Sequence, residues 1–101
     1  MITEKQLQEN VRQLALYYRG LYYHTHDSRR SPGGFPDAVI VKDNRLLIYE
    51  LKSAAGKLSP EQEVWLKYLD RVNVIESGVW RPADWVSGEI ERAIKGGRDK
   101  K

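Results

Sequence analysis

The chain contains no cysteine, which removes both a disulfide framework and any thiolate metal site. Long apolar runs are missing too: the longest, Leu14 to Tyr18, is far too short to span a bilayer. No single charge dominates, since 17 Lys+Arg against 14 Asp+Glu leave a formal net charge of +3. An anionic partner is therefore allowed but not demanded, and the placement of charge matters more than its sum. Met1-Ile2-Thr3-Glu4 opens directly into a polar helical pattern without a signal-peptide core, so a cytoplasmic protein is expected. There is no repeat, and no low-complexity segment beyond a charged end.

What remains is ordinary for a soluble globular domain: 101 residues, 41% hydrophobic and 31% charged. That length suits one domain, expected over residues 1–97 with 98–101 as a charged tail. The chain is organised around the stretch from Pro36 to Lys52. It reads as two apolar strands either side of Asp43-Asn44, a pair that tolerates the positive φ of a tight hairpin turn. If the turn centres there, Lys42 pairs with Arg45, and Asp37 falls opposite Glu50. Alternation then puts Asp37, Val39, Val41, Leu46, Ile48, Glu50 and Lys52 on one face, and Ala38, Ile40, Leu47, Tyr49 and Leu51 on the other. Both faces are mostly apolar, so the hairpin belongs in the middle of a sheet covered on both sides.

Two carboxylates at the end of a central hairpin would have Cβ atoms about 5 Å apart, which is unfavourable unless a cation lies between them. Lys52 supplies one positive charge, and a divalent metal would supply more. Asp37 and Glu50 offer hard oxygen ligands, which suit Mg²⁺ or Mn²⁺. The alternative is an Asp that closes a loop and a Glu–Lys pair at a strand end, with no chemistry.

Thr3 with Gln6 forms a capping-box pattern that opens a helix running to about Arg19 and closed by Gly20. Leu7, Val11, Leu14, Ala15 and Tyr18 form its apolar face. Glu4 and Gln8 lie on that same side and are the residues by which this helix could join a buried site; Glu4 equally well complements the helix dipole. Leu21-Tyr22-Tyr23-His24 is expected to be a strand. The polar segment from Thr25 to Phe35 leads directly into Pro36-Asp37, and its Arg29 and Arg30 are placed to meet phosphates. His24 and His26 match no zinc spacing and have no cysteine beside them; one of them is expected to bond a carboxylate or phosphate.

Ser59-Pro60-Glu61-Gln62 is a stronger helix start, with an N-cap Ser, Pro at the first position and Gln closing a capping box. That helix is expected to run to about Arg71. Gln62 sits in the middle of its apolar arc and must find a partner there, through the cap, through the carboxylates, or both. A further strand is expected from Asn73 to Trp80, with Gly78 as a bulge and Pro82 stopping it. A short helix is expected from Gly88 to Lys95.

Pro36-Asp37 followed by Glu50-Leu51-Lys52 matches the PD-(D/E)XK nuclease pattern. With Gly34-Phe35 before it and Gly56-Lys57-Leu58-Ser59-Pro60-Glu61-Gln62 after it, the chain resembles the VRR-NUC branch of that superfamily, from about Thr3 to Trp85. It departs in having Arg71-Val72-Asn73 where family members usually carry a glycine turn. The resemblance implies an α/β restriction-endonuclease-like core: a mixed β-sheet with a central hairpin flanked by helices on both faces. It implies a metal-dependent DNA endonuclease with Asp37, Glu50, Lys52 and Gln62 catalytic. The metal would be held by Asp37, Glu50, the Leu51 carbonyl, and Glu4 or Gln8, with DNA met by Arg29, Arg30, Lys57, His24 and His26. Small standalone members imply structure-selective cutting of four-way or branched DNA by a homodimer. The alternatives from other classes are a nucleic-acid-binding module that does not cut, and an assembly protein that uses its tryptophans at an interface.

Overall fold

The computed structural model describes residues 2–26 and 31–96. The elements run α1 (Glu4–Tyr17), β1 (Leu21–His24), β2 (Ala38–Lys42), β3 (Arg45–Leu51), α2 (Pro60–Asp70), β4 (Ile75–Trp80), α3 (Pro82–Val86) and α4 (Glu89–Gly96). Both expected capping boxes form. Thr3 Oγ1 accepts from Gln6 N–H at 3.1 Å and Gln6 Oε1 accepts from Thr3 N–H at 2.9 Å, satisfying donors that a helix start leaves open. Ser59 and Gln62 repeat the arrangement at α2.

The four strands form one sheet in the order β1-β2-β3-β4. β1, β2 and β3 run antiparallel, and β4 adds parallel to β3 after the α2 crossover. Asp43 and Asn44 take φ of 51° and 63°, so Lys42 pairs with Arg45 and Ala38 with Tyr49, as the sequence predicts. On one face Ala38, Ile40, Leu47, Tyr49 and Leu51 pack under Leu7, Val11 and Ala15 of α1 and Ile90, Ala93 and Ile94 of α4. Each buried Val, Leu or Ile among them contributes about 1.5–3 kcal/mol. The other face carries α2, packed chiefly against β4. Helices therefore flank the sheet on both sides, but α2 leaves the outer half of its face open: Leu21, Tyr23 and Val41 are exposed.

Several expectations need correction. α1 stops at Tyr17, and Arg19 rather than Gly20 takes the left-handed conformation, at φ 67°. Arg19 N–H donates to Leu16 O at 2.9 Å and Gly20 N–H to Ala15 O at 2.8 Å, a Schellman closure. Gly20 is needed for space, since a Cβ there would lie 3.2 Å from Val41 O. β4 begins at Ile75, two residues later than expected, and Gly78 keeps register opposite Tyr49 without a bulge. A Cβ on Gly78 would lie 3.2 Å from the Tyr49 ring, which itself stacks on Trp80 at 3.7 Å between centroids. Pro82 does more than end β4: it opens α3, whose N-terminal donor on Arg81 is held by Asp84 at 2.8 Å. Among the described residues, no helix is long and apolar enough to cross a membrane.

Candidate active site

The register that places Ala38 opposite Tyr49 carries Asp37 opposite Glu50, one step further along, on the α2 face. Thr25 N–H donates to Asp37 O at 2.8 Å, continuing the β1–β2 ladder by one step. The row across the face is thus Thr25, Asp37, Glu50. Glu50 is 2% exposed, because β3 is covered by β2, β4 and both helical layers. Burial pushes its carboxyl up to about 8; the Asp37 charge and a hydrogen bond to Asp37 push the same way, against the pull of Lys52. Glu50 therefore holds a proton near neutral pH.

Each carboxyl group is held by neighbours whose positions follow from the elements around it. Asp37 Oδ2 accepts from Leu51 N–H at 3.1 Å, since the end of β3 lies beside it. Gln62 uses both ends of its amide: Oε1 accepts from Ser59 N–H at 2.8 Å while Nε2 donates to Glu50 Oε2 at 2.9 Å. The cap fixes the amide, and the amide fixes the carboxylate. Lys52 Nζ lies 3.8 Å from the same Oε2. Glu50 Oε1 is buried with no hydrogen-bond partner. A buried carboxylate oxygen left unpaired beside a second carboxylate is what a hard cation would satisfy.

The loop before Asp37 is seated by Gly34. It takes φ +95°, and a Cβ there would fall 2.6 Å from the Glu61 carbonyl carbon. Any larger residue would push the Pro36-Asp37 corner off the start of α2 and away from Gln62. His24 Nδ1 sits 3.2 Å from the Asp37 carbonyl oxygen; a carbonyl only accepts, so this nitrogen carries the proton. His26 packs edge-on against His24 at 4.9 Å.

The structure therefore gathers Asp37, Glu50, Leu51, Lys52 and Gln62 in one place. Glu4 does not point into the core as expected. It is exposed in the first turn of α1, yet its charge reaches Glu50 and helps raise that pKa. Gln8 is half-buried one turn further on. Lys57 is exposed in the loop between Lys52 and α2, and Arg29 and Arg30 lie outside the described residues.

Two contributors escaped sequence reasoning. Arg81 donates to Ser53 O at 2.7 Å and Gly56 O at 2.8 Å, clasping the loop that carries Lys52 toward Gln62. Nothing local in the sequence marks it, because its partners lie more than twenty residues earlier. Tyr22 faces the core, where burial and the Asp37 charge push its phenol up to about 12, and its hydroxyl has no hydrogen-bond partner.

No protein-family model and no curated protein matches the chain. Among solved structures, a VRR_NUC domain protein superposes with a TM-score of 0.66, covering 93% of this chain and 89% of that one at 20% identity. The chain has the fold of a VRR-NUC domain. At that identity the likeness is one of the VRR-NUC fold alone.

Proposed function

We propose that this protein is a metal-dependent endonuclease that hydrolyses phosphodiester bonds in DNA, selective for branched or four-way substrates and acting as a homodimer. The observation that carries the reading is the buried Glu50 with its unpartnered Oε1, beside the half-buried Asp37 and met by an ammonium and an amide. A strand-end ion pair needs neither a second carboxylate beside it nor a glutamine whose cap aims it at the first.

Asp37, Glu50 and the Leu51 carbonyl would hold Mg²⁺ or Mn²⁺. Two carboxylates suit an ion that keeps much of its own water, and no group of three or more His, Cys, Asp or Glu stands close enough to hold a metal among the described residues. When bound, such an ion supplies Lewis acidity toward the phosphate and a water of lowered pKa. The chain supplies the rest. Lys52 orients the attacking water and offsets the charge that builds on the phosphoryl oxygens. Gln62, donating to Glu50, and the Leu51 N–H, donating to Asp37, would hold the two carboxyl groups in place for such an ion. Glu4, at the rim, adds negative charge on the side of α1. Water attacks phosphorus, one bridging P–O bond breaks, and the leaving oxygen takes up a proton from solvent. Arg29, Arg30 and Lys57 are assigned to the DNA backbone, with His24 and His26 beside them.

Incubation with labelled single strands, duplexes, flaps and four-way junctions, in Mg²⁺, Mn²⁺ or EDTA, tests this directly. Cleavage of branched substrates with metal and none in EDTA is expected. Binding without any cleavage across the panel would leave a non-cutting DNA-binding module.

A further inference from the structure

The half of the sheet face that α2 leaves uncovered is not flat. A hollow of about 490 Å³ opens there, walled by Tyr23, His26, Phe35 and Trp65, with Thr25 and Ser31 among its polar groups. Trp65 is fixed edge-on to Phe35 at 5.1 Å and donates from Nε1 to Gly33 O at 3.2 Å, so this wall is preformed. Tyr23 is 62% exposed and presents its ring from the edge strand. The Thr25 hydroxyl oxygen is buried and has no hydrogen-bond partner.

We propose that this hollow receives one unpaired nucleobase of the DNA strand, adjacent to the phosphate held at Asp37 and Glu50. The identity of the ligand as DNA rests on the nuclease reading above; the class of DNA it selects is argued here. Position comes first. Thr25 is the cross-strand neighbour of Asp37, so the polar end of the hollow lies about one strand spacing, roughly 5 Å, from Asp37. A nucleotide whose phosphate sits at Asp37 has its own base or its neighbour's within that reach.

Chemistry comes second. Aromatic walls with a few polar groups suit a ring that stacks and bonds at its edge. Among the described residues of the lining, His26 and the Tyr23 phenol are the ionisable side chains. A base inside a duplex is stacked and paired and cannot enter without being extruded. The hollow therefore favours strands with unpaired bases, found at branch points, flaps and single-stranded ends, and gives a physical source for structure selectivity.

Affinity measured in EDTA decides the proposal without relying on cleavage. The probes are a fluorescein-labelled single strand, the same strand built of abasic residues, and a blunt duplex of equal length. Wild type is expected to bind the base-bearing strand about tenfold more tightly than the abasic one. Tyr23→Ala, at an exposed position that does not support the core, should remove most of that difference and leave duplex affinity unchanged. Thr25→Val, which keeps shape and removes the hydroxyl, should remove a smaller part. Equal binding of base-bearing and abasic strands by wild type, or an undiminished preference in Tyr23→Ala, overturns the proposal. Cleavage with Mn²⁺ is scored separately: its absence overturns the nuclease reading, while the affinity pattern still decides whether the hollow takes a base.

Discussion

Glu50 is the buried carboxyl of the site, and its Oε1 has no hydrogen-bond partner. With its folded pKa pushed to about 8 against an ordinary value of 4.5, Glu50 keeps a proton in the native state that the unfolded chain releases. Stability of the metal-free protein therefore falls as pH rises through the window from about 4.5 to about 8 and levels off above it. Glu50→Gln removes the titrating group at nearly constant size. In EDTA its melting temperature should lie closest to wild type near pH 5 and exceed it by several degrees toward pH 8, measured by circular dichroism. Parallel curves for the two proteins would mean that Glu50 is ionised throughout. Both Asp37→Asn and Glu50→Gln should abolish cleavage with the fold intact, since each removes a ligand charge and relieves carboxylate repulsion. Full activity in either would displace the proposed metal site. Wild type should also release protons on binding Mn²⁺ near pH 7, because the ion takes the place of the proton on Glu50; calorimetry in two buffers of different ionisation enthalpy measures this, and Glu50→Gln should release fewer.

At the scale of elements, α2 is a helix start turned into a clamp. Its capping box immobilises Gln62, and the free end of that amide then meets Glu50. Ser59→Ala weakens the cap alone, at about 1 kcal/mol. Gln62→Ala loses the cap and also leaves Glu50 Oε2 without its amide partner. The second variant should lose about tenfold more activity than the first, in line with partners that orient metal ligands. Equal losses, with equal melting temperatures, would reduce Gln62 to helix capping. Much of this was legible in the sequence because it is local: Ser59-Pro60-Glu61-Gln62, Thr3 with Gln6, and Asp43-Asn44 each specify their backbone within a few residues. The facing of Asp37 and Glu50 followed from that turn and the period of two. What escaped was non-local or steric. Arg81 reaches back to the loop after Lys52, Gly20 is a matter of space against Val41, and α3 needed a Pro to be read as a start as well as a stop. The hairpin cations, too, are engaged by distant partners. Lys42 is bound to the Lys95 carbonyl at 3.0 Å, and Arg45 to Glu76 at 2.8 and 2.9 Å, besides closing the last turn of α4.

For the whole molecule, the question is how one small domain with one site could make paired cuts. A four-way junction has two-fold symmetry, and its resolution needs a cut on each of two strands. A C2 dimer places two copies of the Asp37–Glu50 site about a single self-complementary interface, and aromatic residues are enriched at such surfaces. Trp80 is ruled out of such a surface by its burial at 2% exposure against Tyr49, and Tyr22 and Trp85 pack against the core. Tyr17 is 77% exposed at the end of α1. A homodimer is expected through the α1 end, with α1 packed on the other side of the sheet from the open face on which DNA would lie. Sedimentation at micromolar protein without DNA should give about twice the 11.7 kDa chain mass, and Tyr17→Glu should shift it toward a monomer. A wild-type monomer that still makes paired cuts would mean that the dimer assembles only on the substrate. A monomer that nicks flaps or single strands and ignores junctions would remove the two-fold reading. It would leave a metal-dependent nuclease that works one strand at a time.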